Sequence, residues 1–186
     1  MKAMLLVSSL LLFSTAAFSD YETARDAYNR KDYATALKEL QPLADEGDAK
    51  SQYLLGWLYE NGYGVIEDDQ TAVKWYALAA NQGEGGAQYN LGWMYEAGNG
   101  VDQDYKTAVK LYGLAAAQGR ADGQFKLGWM HEKGRGVDQN YQAARKWYRL
   151  AAEQGHGLSQ YNLGVLYANG RGVTQDYIHS YMWWDI

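Results

Sequence analysis

Downstream of residue 47, apolar and polar positions recur in two registers with a 36-residue period. The first register is Gln-Tyr-x-Leu-Gly-Trp-x-Tyr-Glu, found over 52–60 and 88–96 and, with small changes, over 124–132 and 160–168. The second has small and large apolar residues in alternation: Ala72, Trp75, Tyr76, Leu78, Ala79 and Ala80, then Ala108, Leu111, Tyr112, Leu114, Ala115 and Ala116. A third copy has Ala144, Trp147, Tyr148, Leu150, Ala151 and Ala152. The i, i+3, i+4, i+7 spacing is that of an amphipathic helix. Each repeat therefore predicts one helix over 49–60 and a second over 69–82, with counterparts in the later copies.

Between the two registers lies Gly-x-Gly-Val, as in 98–101. The first glycine suits the left-handed position just past a helix. The second lets the chain turn back, and the valine plugs the base of the hairpin. Asp104, Asn140 and Asp176 sit where an N-cap belongs. Gly56, Gly92, Gly128 and Gly164 fall inside the first helix. A mid-helix glycine costs about 1 kcal/mol relative to alanine. Accepting that cost at one register four times implies close approach of a neighbouring helix, where a Cβ would clash.

Residues 20–47 predict a shorter helical pair. Ala24, Ala27 and Tyr28 share one face, and Ala36, Leu37, Leu40 and Leu43 another. Asp32 is the expected N-cap of the second member. Pro42 should remove one hydrogen bond and bend that helix, and Gly47 ends it. A lone helix pair cannot bury its apolar faces, whereas stacked pairs can. The expected fold is all-α: a right-handed superhelical α/α solenoid of antiparallel helix pairs. Its parts are an N-terminal pair over 20–47, repeats over 48–83, 84–119 and 120–155, and an incomplete one over 156–186.

The first 19 residues follow a different pattern. Lys2 precedes an apolar run over 4–13, and Ala17 and Ser19 place small residues before a cleavage point at Asp20. This is the arrangement of a cleavable export signal, too short to span a bilayer comfortably. The expected location is periplasmic or secreted, without stable membrane insertion. The last copy stops at Trp183-Trp184-Asp185-Ile186 with no polar capping helix. Either further chain follows, or this apolar end packs against a second copy or another partner.

Composition narrows the chemistry. The chain has 186 residues and a formal net charge of −5, which gives nucleic-acid binding no electrostatic support. It contains no cysteine, so disulfides, thiolate zinc sites and cysteine nucleophiles are excluded. Tyrosine (17) and tryptophan (7) far outnumber phenylalanine (3), a balance suited to half-buried surfaces.

The repeated string Ala-Gln-Tyr-x-Leu-Gly-x-Met-Tyr-x-x-Gly-x-Gly-Val-x-x-Asp-Tyr-x-x-Ala-x-x-Trp-Tyr-x-x-Ala-Ala-x-Gln-Gly resembles the Sel-one-like repeat, a relative of the tetratricopeptide repeat with a longer inter-helix loop. About fifteen columns agree across the copies, over residues 48–186. The resemblance implies a non-enzymatic protein-interaction scaffold needing no cofactor. A cysteine-rich branch of the family has been linked to penicillin binding and β-lactam hydrolysis, which suggests a cell-envelope hydrolase as the alternative. This chain has none of those cysteines.

By analogy with tetratricopeptide arrays, one face of each first helix should line a concave groove. That face carries Tyr53, Trp57 and Glu60; Tyr89, Trp93 and Glu96; Phe125, Trp129 and Glu132; then Tyr161, Val165 and Ala168. An aromatic ladder rimmed by acids would suit a peptide with apolar and basic side chains. An aromatic stripe at helical spacing can equally be core. The glutamate column reads as a solvated face, and Glu67-Asp68-Asp69 as a solvated turn. The Gly-x-Gly loops follow helices, unlike a phosphate-binding loop, which follows a strand. His131, His156 and His179 show no metal-ligand spacing, and His131 simply takes the place of the column tyrosines Tyr59, Tyr95 and Tyr167.

Overall fold

A computed structural model describes residues 21–185, so residues 1–19, expected to be an export signal, lie outside the described residues. The chain divides into two compact units, one ending at Glu84 and the other beginning at Gly85. Among the described residues the regular structure is entirely helical.

The first unit holds α1 over 21–29, α2 (Tyr33–Asp45), α3 (Ala49–Asn61) and α4 (Asp69–Asn81). Asp32 caps α2 through the Thr35 amide at 3.2 Å, and α2 runs through Pro42 without a break. Gly47 follows its end at φ 102°. Ala24, Ala27, Ala36, Leu40, Leu55 and Leu58 form a sealed core between these helices. The short alanines on α1 and α2 let α3 approach closely, and α3 packs in turn on α4.

The second unit holds α5 (Gly85–Ala97), α6 (Tyr105–Ala117), α7 (Ala121–Lys133), α8 (Tyr141–Ala152), α9 (Gly157–Asn169) and α10 (Tyr177–Trp184). Each helix packs on the next in chain order, as expected when short connections join neighbours. Asp104, Asn140 and Asp176 cap α6, α8 and α10 by accepting from Thr107 at 3.3 Å, Ala143 at 2.9 Å and His179 at 3.0 Å. The Thr107 hydroxyl also donates to Asp104, which holds that carboxyl below its usual range. The cap of α4 is built the same way from Asp68 and Thr71, so the central acid of Glu67-Asp68-Asp69 is a capping residue.

The second glycine of the loops at Gly64, Gly136 and Gly172 does more than reverse the chain. A Cβ on Gly136 would overlap the carbonyl of Tyr105, and one on Gly172 would overlap the backbone of Tyr141. These loops thus press against the start of the preceding repeat's second helix. The residue between the glycines seals the contact. Tyr63 stacks on Tyr33 at 4.9 Å, Arg135 lies over Tyr105 at 5.5 Å, and Arg171 lies over Tyr141 at 5.6 Å.

One expected register shifts. Leu78 and Leu114, read as part of the packing stripe, are about half exposed at 48% and 52%. The buried face of the second helix is Ala72, Tyr76, Ala79 and Ala80, with the matching residues of α6 and α8. Alanines bring the helices close, and one tyrosine fills the space between them.

Candidate functional site

The repeated string folds into a slot for that tyrosine. On α3, Gly56 and Glu60 stand one turn apart on the same face. The Tyr76 ring of α4 lies over Gly56, where a Cβ would come within 2.6 Å of it, and its hydroxyl donates to Glu60. In the second unit, Tyr112 lies over Gly92 and donates to Glu96 at 2.5 Å. Tyr148 lies over Gly128 and donates to Glu132 at 2.8 Å. All three tyrosine side chains are completely buried. Burial and the adjacent carboxylates push Tyr112 and Tyr148 well above the usual tyrosine range, so both remain donors. Burial likewise raises Glu60.

This corrects the reading of Glu60, Glu96 and Glu132 as a solvated face. Glu132 is only 9% exposed, and Glu96 accepts from Lys126 at 3.0 Å besides Tyr112. A buried hydroxyl without an acceptor is costly, and the glutamates supply one for each of the three buried tyrosines. They are internal hydrogen-bond acceptors and do not rim a groove with free acid.

A second set of contacts went unrecognised in the sequence. The Gln52 amide donates to the Ala44 carbonyl at 2.9 Å and accepts from Gln82 at 2.8 Å. Gln124 accepts from Gln154 at 2.8 Å and reaches the Ala116 carbonyl at 3.4 Å. This glutamine column satisfies the end of a neighbouring helix and ties it to the next. The signal was present, because Gln52, Gln88, Gln124 and Gln160 head every copy of the string.

The aromatic candidates divide in two. Tyr53, Tyr89 and Phe125 tilt against Tyr76, Tyr112 and Tyr148 at 5.8–6.0 Å, while Tyr161 stacks near Trp184 at 6.3 Å. These rings brace the buried column, and Tyr161 remains 60% exposed. Trp57, Trp93 and Trp129 are half-buried, and so is Val165. Trp57 donates its indole N–H to the Tyr28 hydroxyl at 2.9 Å. With Tyr28, Tyr53 and Leu54 it lines an open cleft of about 290 Å³ in the first unit. In the second unit, the Arg135 guanidinium covers Trp129 at 4.7 Å, with the Lys126 ammonium 5.7 Å from the same ring. The Trp57 cleft presents aromatic faces and an aliphatic wall. Trp129 is already engaged by two cations.

The histidines have local roles. His156 caps α9 through the Ser159 amide at 3.2 Å and packs 4.8 Å from Phe125. His179 meets Asp176 at 2.7 Å. His131 is half-buried, and that burial lowers its pKa. Among the described residues, no group of three or more His, Cys, Asp and Glu side chains could hold a metal ion. No described helix is long and apolar enough to cross a membrane.

Helix pairs repeated along the chain, three of them holding one buried tyrosine each, define an all-α repeat protein of the α/α-solenoid class. The Sel1 repeat profile matches residues 49–84, 86–119, 121–156 and 157–185. The chain belongs to the Sel1 repeat family, whose members typically act as protein-interaction scaffolds. A Sel1 repeat protein from Oxalobacter formigenes is 36% identical with a TM-score of 0.83, the match covering 88% of this chain and 67% of that one. A protective antigen from uropathogenic Escherichia coli strains, with an SLR fold, is 37% identical with a TM-score of 0.86. That match covers 95% of this chain and 39% of the antigen. Helicobacter pylori cysteine rich protein B is similar in fold, at 24% identity and a TM-score of 0.51 over 66% of this chain and 92% of that one. No curated protein matches the chain.

Proposed function

We propose that this protein is an exported, non-enzymatic scaffold that holds a segment of a partner protein against the half-buried aromatic residues around Trp57 on its first unit. The observation that carries this is the cleft around Trp57. Its indole is oriented by Tyr28, and Tyr53 and Leu54 complete an apolar lining that is open to solvent. A rigid aromatic anchor beside an aliphatic wall accepts an apolar or aromatic side chain, the usual centre of a protein–protein contact. With the glutamates committed to Tyr76, Tyr112 and Tyr148, the basic side chains first expected in the ligand lose their counter-charges. The preferred segment is apolar.

Export is proposed on the pattern of residues 1–19, and mature protein beginning at Asp20 is the expected product. The hydrolase alternative drew on the cysteine-rich branch. The likeness to the Helicobacter protein supports a shared fold and no shared chemistry.

A photo-activatable residue at Tyr53 tests the site, with one at the exposed Leu78 as control. Cross-linking in envelope extract should give a discrete adduct from position 53 only, abolished by Trp57→Ala. Equal adducts from both positions, or an adduct indifferent to Trp57→Ala, would overturn the assignment.

A further inference from the structure

The second unit carries a cleft of another character. Gln142, Arg145, Lys146 and Arg149 fall on one face of α8 at i, i+3, i+4 and i+7, and Tyr167 of α9 closes the far side. The cleft is partly open to solvent and has a volume of about 290 Å³. Every lining side chain offers hydrogen-bond donors, and three are cationic. The chain as a whole carries a net charge of −5, so this is a local inversion of sign.

The repeats provide their own control. At the positions of Arg145 and Arg149, the first repeat has Val73 and Ala77 and the second has Val109 and Gly113. Of the three cationic positions, only the lysine recurs, as Lys74, Lys110 and Lys146. The helix pair packs without these arginines, because α4 and α6 do so at the same register. Both arginines are therefore additions to the fold. Arg149 meets Glu153 at 3.5 Å in an exposed pair, the one carboxylate within 4 Å of the cluster among the described residues. Lys146 lies over Trp147 at 5.4 Å. Arg145 and Lys146 have no carboxylate partner among the described residues.

We propose that this cleft binds an acidic segment of a partner protein in extended conformation, with two carboxylates held by Arg145 and Arg149. The geometry favours a chain over a single small anion. Residues at i, i+4 on a helix place their side chains about 5–6 Å apart. Alternate residues of an extended peptide project to one side about 6.6 Å apart. An acid-x-acid sequence thus sets one carboxylate before each guanidinium fork, where bidentate bonding is strongest. Lys146 adds a point charge, and Gln142 and Tyr167 can bond the peptide backbone. The site lies apart from the Trp57 cleft in sequence and chemistry, and its test does not depend on that reading.

The probe is a capped, fluorescently labelled Ala-Glu-Ala-Glu-Ala peptide, titrated by anisotropy into the intact protein. Binding should weaken at least fivefold between 50 and 300 mM salt, as expected for partly exposed ion pairs. The double variant Arg145→Val with Arg149→Ala, which restores the first repeat's residues, should lose at least tenfold in affinity. Its thermal melt should match that of the parent. Trp57→Ala should change affinity less than twofold. Binding unaffected by the double variant, equal loss with Trp57→Ala, or equally tight binding of an Ala-Lys-Ala-Lys-Ala peptide would overturn the proposal. Displacement of the peptide by inorganic phosphate at equal concentration would also overturn it, by showing a site for any anion.

Discussion

The third and fourth repeats use the same glycine slot with different occupants. In the third, Tyr148 lies over Gly128, donates to Glu132 and is completely sealed. In the fourth, Trp184 lies over Gly164, but the acid position is Ala168 and the ring is 41% exposed. The Trp184 indole instead donates to the Tyr161 carbonyl at 3.1 Å. Donor and acceptor have changed together. A tyrosine hydroxyl buried at this depth needs an acceptor at the ring's far end. Once that position is alanine, an indole carrying its N–H nearer the backbone suits the slot better. The slot selects a flat ring, and the glutamate selects tyrosine in particular.

The largest consequence concerns burial. Tyr148→Ala should destabilise the protein by about 3–5 kcal/mol, the range for truncating a large buried aromatic. Trp184→Ala should cost well under half as much, because part of that ring already faces water. Urea denaturation of both variants makes the comparison, and equal losses would break it.

A smaller difference is expected at the glycines. Gly128→Ala places a methyl 2.9 Å from the Tyr148 ring, which is locked at both ends. Overpacking of this kind costs about 1–3 kcal/mol, partly offset by about 1 kcal/mol of helix propensity. Gly164→Ala meets a half-exposed ring that can swing aside, so the propensity gain should cancel more of its cost. Thermal melts of the two variants should rank accordingly.

The smallest effect is electrostatic. The capping carboxyls of Asp32, Asp68 and Asp104 are held below their usual range, chiefly by threonine hydrogen bonds. Asp176 is lowered by its bonds to His179. Each binds its proton less readily folded than unfolded. Their contribution is therefore complete above the unfolded carboxyl value of about 3.9 and is lost as pH falls through the lower folded value. Glu60 has the opposite sign. Burial raises it, so its contribution is complete at low pH and declines as pH rises through its folded value. Melting temperature should fall on acidification below about pH 4, and Asp104→Asn should reduce that dependence.

Much of this architecture was legible because the repeats vote on it. The helices expected over 49–60 and 69–82 are Ala49–Asn61 and Asp69–Asn81, since capping acids and glycines punctuate every copy. The glutamates were misread because a column of acids looks the same in sequence whether it faces water or a buried hydroxyl. The distinguishing signal was joint variation: Glu60, Glu96 and Glu132 give way to Ala168 in the copy where Tyr76, Tyr112 and Tyr148 give way to Trp184. Leu78 and Leu114 were misplaced because periodicity marks an apolar stripe without fixing which edge of it faces a neighbour. The basic cleft went unseen for a related reason. Arg145 and Arg149 depart from the repeat pattern, so a search for shared columns passes over them.

The buried tyrosine–glutamate pair is the central claim, and a double-mutant cycle tests it most directly. Glu132→Ala, Tyr148→Phe and the double variant would be compared with the parent by urea denaturation. Glu132→Ala alone leaves the buried Tyr148 hydroxyl without its carboxylate acceptor and with only the Asn162 side chain beside it, at a cost of about 1–3 kcal/mol. Removing that hydroxyl as well should recover at least about 1 kcal/mol, the coupling expected of a direct buried bond. Losses that add within about 0.3 kcal/mol would show that the two residues do not support each other, and would contradict the account.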